Sequence, residues 1–148
     1  MNDFYTKVKS TIDRLAVDIA NDLGIGFVEM DDTVNVDEML ASDQDLIVYQ
    51  MVTMVENPID PMWDMSFNIG AKTTTDAANY DLAGIVSKIT DYVAKNSFIN
   101  VMDYSGIQAP TDKEGYIHFV DVAIDPQAFD GASGVRMFSV QSKAVRTQ

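Results

Sequence analysis

The side chains best suited to chemistry in this chain are one histidine and a large set of carboxylates; there is no cysteine. That absence removes disulfides, thiolate metal sites and thiol nucleophiles, and it fits a reducing compartment. His118 lies in a stretch of aromatic and β-branched residues (GYIHFVDVAID) and has no second histidine with which to form a zinc pair. It therefore reads as a structural or surface residue.

Seven acids, Glu29, Asp31, Asp32, Asp37, Glu38, Asp43 and Asp45, follow one another with no base between them. Clustered carboxylates are the hard oxygen ligands that Ca²⁺ and Mg²⁺ prefer. This run, however, lacks the alternating acids and central glycine of a calcium-binding loop. Asp121 and Asp125 flank the end of a predicted strand, a place where enzymes set acids and where ordinary turns do so more often. Gly24 and Gly26 give only G-x-G, without the third glycine or the preceding strand of a dinucleotide fingerprint. No G-x-S-x-G elbow is present. No catalytic centre, metal site or cofactor is expected.

Charge narrows the partners. The chain has 148 residues, ten Lys and Arg against 23 Asp and Glu, and a formal net charge of −13. Such a surface favours solubility and repels phosphate backbones. The N-terminal residues lack the basic start and short apolar core of a signal peptide. No apolar run approaches the roughly 20 residues of a membrane helix. The expectation is one soluble domain over residues 1–148 that does not bind nucleic acid or membrane.

The elements that would position these residues follow from periodicity. Phe4, Val8, Ile12, Leu15, Ile19 and Leu23 recur at helical spacing, and Gly24 can end the helix in a left-handed conformation. Ile25 to Met30 reads as a short strand or extended link. Asp45 to Glu56 is apolar on both faces, which predicts a central strand. After a turn with Pro58 and Pro61, Met62 to Lys72 alternates, with Trp63, Met65, Phe67, Ile69 and Ala71 inward and Asp64, Ser66, Asn68 and Lys72 outward. Leu82, Ile85, Val86, Ile89, Tyr92 and Val93 form a second helical stripe that should fray by Asn96. Phe98 to Tyr104, Tyr116 to Ile124 (His118, Val120, Val122 and Ile124 on one face) and Val135 to Val145 read as strands. The fold class is α+β: two helices packed on a mostly antiparallel, mixed β-sheet.

Two regions stand out as interaction candidates. The first is the hairpin bend of Pro58, Pro61, Met62 and Trp63, where the tryptophan is either a core anchor or an exposed docking residue. Four of the nine methionines, Met51, Met54, Met62 and Met65, lie around this hairpin. Methionine suits both core filling and adaptable interfaces. The second is a pair of oppositely charged segments: the acidic run containing Asp31 and Asp32, and a last strand with Arg136, Lys143 and Arg146 and no acid. Opposite charge on two parts of one small protein can guide head-to-tail association into a ring.

The helix, the long hairpin (DLIVYQMVTMVENPIDPMWDMSFNIGAK), the second helix with its polar lead-in (TTTDAANYDLAGIVSKITDYVAK) and the closing strands (GYIHFVDVAIDP, GVRMFSVQSKAV) together resemble the tail terminator or tail completion proteins of tailed bacteriophages. The likeness extends to the helix of Asp81 to Lys95 and to an arginine-led last strand similar to Arg136 to Gln141. It covers most of the chain as a layout and includes no diagnostic motif. It implies a non-enzymatic virion subunit, assembled in the host cytoplasm, that forms a ring with itself, commonly a hexamer. Such a ring caps the tail tube, meets neck and connector proteins, and lets DNA pass without specific binding. The residues alone leave two other readings open: an acidic module that mimics DNA to occupy a host protein, and a small enzyme using acids with Mg²⁺.

Overall fold

A computed structural model describes residues 3–30, 38, 45–58, 62–72, 80–106, 108–125 and 135–147. The first helix, α1 (Asp3–Leu23), buries the predicted stripe: Phe4, Val8, Ile12, Leu15 and Ile19 are buried, with Leu23 packed at the margin. Ala16 and Ala20 on the same side are small enough to let the helix lie close to the sheet. Its end is chemically defined. Gly24 takes φ 69°, a conformation that costs glycine little. Gly24 N–H donates to the Asn21 carbonyl and Ile25 N–H to the Ala20 carbonyl, the paired bonds of a Schellman cap.

The strands are β1 (Gly26–Glu29), β2 (Leu46–Glu56), β3 (Met62–Lys72), β4 (Phe98–Val101), β5 (Gly115–Asp125) and β6 (Val135–Arg146), with α2 (Tyr80–Tyr92) between β3 and β4. They form one sheet in the order β1-β2-β3-β6-β5-β4. β1 and β2 are parallel and every other pair is antiparallel. Both described helices lie against one face, over a core that includes Ile47, Phe67, Ile69, Ile89, Val93, Ile117, Phe119 and Val140. The α+β fold predicted from the residue pattern is the one observed.

Three details depart from the sequence reading. β2 is not central along its whole length. Leu46 to Tyr49 are buried, but the following residues are mostly exposed; among the described residues the pairing with β1 ends at Glu29 opposite Tyr49. Lys72, placed outward by alternation, is 2% exposed. Its aliphatic stem can be buried while its ammonium finds a partner.

The third departure is in β5. His118 and Val122 do not share a face, because the register shifts between Phe119 and Asp121. An extra residue, Val120, inverts the alternation beyond it. β2 carries a matching shift at Val52, between Met51 and Thr53. The two bulges lie at successive levels of the sheet: the β2 bulge is level with the step from Val140 to Gln141 in β6, and the β5 bulge with the step from Gln141 to Ser142. Each bulge adds local twist, so together they crease the sheet across its width.

The predicted loops around residues 31–44, 73–79 and 126–134 lie outside the described residues, apart from Glu38.

Candidate functional site

Below the crease, register lines up one row of side chains across five strands on the face away from the helices. Val55 pairs with Asp64, Asp64 with Lys143, Lys143 with His118, and His118 with Phe98. At the middle of the row, Lys143 Nζ stands 3.1 Å from Asp64 Oδ1, and Asn57 Nδ2 donates to Asp64 Oδ2 at 2.9 Å. The Lys143 hydrogen bond, helped by Asn57, holds the Asp64 carboxyl below its ordinary pKa. Beside it, the Thr53 and Ser66 hydroxyls are hydrogen-bonded at 2.8 Å. A shallow depression of about 270 Å³ lies here, touched by Thr53, Val55, Asp64, Val120 and Gln141.

The far end of the row is aromatic. Phe98 stacks on His118 with ring centroids 4.6 Å apart and meets Tyr116 edge-on at 5.6 Å. Lys113 lies over the Tyr116 ring, a cation–π contact. The two ends of the row, Val55 and Phe98, are 61% and 60% exposed and head the exposed large apolar side chains of the described residues.

A second feature is a cleft of about 580 Å³ between α1 and the segment Tyr104–Pro110. Its wall is fixed by two hydroxyls in the helix. The single hydroxyl proton of Ser10, and likewise that of Thr11, is shared between the carbonyls of Lys7 and Met102, and the two oxygens accept from Tyr104 N–H and Met102 N–H respectively. Arg14 lies over the Tyr104 ring and is paired with Asp18. Lys9 is paired with Asp13 and Glu29. Burial opposes its charge, but these hydrogen bonds outweigh burial and raise its pKa above the ordinary value. Both cations of the cleft are thus already neutralised by carboxylates. The cleft offers hydrogen bonds and some apolar surface, and no activated nucleophile.

The structure separates the residues picked from sequence. Trp63 is 6% exposed. Its ring lies 5.0 Å from Phe4, and the Arg146 guanidinium sits 5.6 Å from its centroid. It is a core anchor, and of its two predicted roles the exposed one is ruled out here, because register points Trp63 toward α1. Arg146 goes with it, away from Lys143 on the opposite face. Pro58 is exposed at the bend and Met62 is half-buried. Arg136 pairs through its backbone with Ala71, at the other end of β6 from Lys143 and Arg146. Pro61, Asp31 and Asp32 lie outside the described residues.

Sequence reasoning turned Asp64 outward but singled out none of Val55, Asp64 and Phe98 as site residues. The available signal was the alternation of Met62 to Lys72, which already turned Asp64 outward; pairing Asp64 with Val55 and Lys143 required the register.

Among the described residues, no three His, Asp or Glu side chains are grouped to hold a metal ion. No helix among them is long and apolar enough to cross a membrane. The chain matches no protein-family model, and no curated protein is significantly similar to it.

Proposed function

We propose that this chain is a structural subunit that works by assembling with copies of itself. Within that class, the reading is a tail terminator or related neck protein of a tailed bacteriophage, without enzymatic activity, that caps the tail tube and joins it to the head. The observation that carries the proposal is the one-sided sheet. Both described helices cover one face, while the other bears a polar row that ends in two strongly exposed apolar side chains, Val55 and Phe98. Exposed apolar side chains at both margins of the helix-free face support the reading of that face as a surface that meets neighbours. The layout resemblance supplies the particular assembly. A net charge of −13 would let DNA slide through a ring lumen without adhering.

A DNA-mimicking inhibitor would need free carboxylates spaced like phosphates along one face. Here Asp13, Asp18, Asp22, Glu29, Asp64 and Glu114 are each paired with a lysine or arginine. That pairing disfavours the mimic.

The test is electron microscopy of the purified chain at high concentration, alone and with purified tail tubes, with mass measured by light scattering. Closed rings with a central hole, hexameric in the simplest case, or decoration of tube ends, are the expected result. A chain that stays monomeric and ignores tube ends overturns the proposal. Retention on basic host proteins instead would favour the mimic.

A further inference from the structure

We infer that a second copy of this chain packs on the helix-free face, sheet against sheet, about a two-fold axis that runs along β6 at Lys143. The inference rests on the reading of the chain as a self-assembling subunit. It assigns one contact of that assembly, which joins subunits in pairs and closes no ring by itself.

Register supplies the match. Pairing builds outward rows of side chains at the levels of Ser139, Gln141, Lys143 and Val145, and β6 is the middle one of the five strands β2-β3-β6-β5-β4. A two-fold axis along β6 therefore lays β2 over β4 of the second copy and β3 over its β5, so that each row is read backwards by its counterpart. In the Lys143 row, Val55 meets Phe98 of the second copy, which takes the two most exposed apolar groups of the described residues out of water. In the Val145 row, Met62 meets Tyr116 of the second copy, and Val145 meets itself on the axis. In the Gln141 row, the Ser66 hydroxyl meets the Asp121 carboxylate, a donor against an acceptor, and Gln141 meets itself. Apolar falls on apolar and polar on polar at each of these positions. A face that matches its own reversal fits a second copy of the chain.

Charge permits the contact. Two copies of net charge −13 repel each other as wholes. On these four rows the charged side chains are Asp64, Lys143 and Asp121. Asp64 and Lys143 are already paired within the chain and enter the contact as a neutral unit. The two Lys143 residues lie at the axis, but each ammonium is drawn toward its own Asp64 on β3, and the axis places the two β3 strands on opposite sides. Packed sheets lie about 10 Å apart with their strands roughly aligned. Five strands at about 4.8 Å and four rows at about 7 Å give a footprint of about 600 Å² per copy. The total of about 1,200 Å² is the lower limit of standard specific interfaces, so the pair is expected to depend on concentration.

The test places single cysteines in the chain, which has none of its own, and joins them with a short bismaleimide cross-linker. Thermal melting confirms that each variant folds like the parent. Gln141→Cys, on the axis, should give a covalent dimer by itself. Val55→Cys alone and Phe98→Cys alone should not, because each cysteine lies four strand spacings, about 19 Å, from its counterpart. Mixed in equal amounts, these two variants should give a covalent heterodimer. Tyr5→Cys, exposed on α1, is the control. Gln141→Arg brings two like charges together on the axis and should weaken pairing in sedimentation equilibrium at least about tenfold. Cross-linking of Gln141→Cys no greater than that of the control, or a mixture no better than its separate components, would overturn the inference. Larger species in those same samples would leave the self-assembly reading standing. A parent chain that is monomeric at every concentration, with and without tail tubes, would overturn both.

Discussion

The Tyr49 hydroxyl donates a 2.9 Å hydrogen bond to the Asp13 carboxylate, which joins α1 to β2. Asp13 also receives Lys9, and Lys9 reaches on to Glu29 in β1. One short network therefore holds the helix to both strands of the parallel pair. This matters because β1 is only four residues long and contributes few ladder bonds of its own.

Replacing Tyr49 by phenylalanine removes the donor and keeps the ring in the core. A partly buried hydrogen bond to a charged acceptor contributes about 1.5–3 kcal/mol, less where water can replace the donor. A loss of about 1 kcal/mol is expected for Tyr49→Phe. It would be read from the urea midpoint at unchanged slope. An unmoved midpoint would mean that Asp13 is held by Lys9 alone.

Tyr92 and Asp22 form the corresponding tie between the two helices, at 2.6 Å, with Lys88 on the same carboxylate at 3.2 Å. Donation to Asp22 favours the protonated phenol and pushes the Tyr92 pKa from 10.0 up to about 12. The same hydroxyl, followed by Lys88, lowers the pKa of Asp22 below its ordinary 3.8. The sign follows from linkage. The Tyr92 contribution is complete below pH 10 and is lost as pH rises through about 12. The Asp22 contribution is complete above its ordinary value and is lost as pH falls through the lowered one. Absorbance titration of the phenolates should show Tyr92 ionising about two pH units after an unperturbed tyrosine. Tyr92→Phe should lower the amplitude of the late step by one phenolate. An unchanged amplitude would refute the assignment.

Much of this architecture was legible in the residues. The stripe of Phe4 to Leu23 and its glycine stop gave α1 because helix periodicity and capping are local properties. The alternation in Met62 to Lys72 gave the buried face of β3, and the whole layout gave the fold class. What failed was non-local. The exposure of β2 beyond Tyr49 goes with where its pairing with β1 stops, which LIVYQMVTMV does not record. The opposite facing of His118 and Val122 depends on a bulge at Val120, and one extra residue inverts every side chain beyond it. The row from Val55 to Phe98 joins five strands through registers set by pairing partners far apart in the chain. Trp63 was undecided because its fate rests on Phe4 and Arg146, 59 and 83 positions away.

Gly115 starts β5 opposite Arg146, with Phe4 above it. A Cβ there would fall inside the van der Waals envelope of the Val145 carbonyl oxygen and lie 3.1 Å from both Arg146 Cα and Phe4 Cε1. Two of these three atoms are backbone and cannot rotate away. Gly115→Ala should therefore cost about 1–3 kcal/mol, as overpacking does, despite alanine's lower unfolded-state entropy. Thermal melting checks the size of the effect. A stabilised variant would show that the β5–β6 ladder can separate at this point without loss.

Ser142 carries the opposite expectation. It faces the core from the middle of β6, paired with Met65 on one side and Phe119 on the other. Its hydroxyl is fully buried, and its Oγ has no hydrogen-bond partner among the described residues. In the unfolded chain the same hydroxyl is bonded to water, so folding strips it of bonds it does not recover, at a cost of about 1–3 kcal/mol. Ser142→Ala removes the stripped group and leaves a void smaller than a water molecule, so little packing is lost in return. The variant should be more stable than the parent by about 1 kcal/mol, seen as a higher urea midpoint with the slope unchanged. A loss of similar size would show that the hydroxyl is satisfied in solution and overturn the expectation.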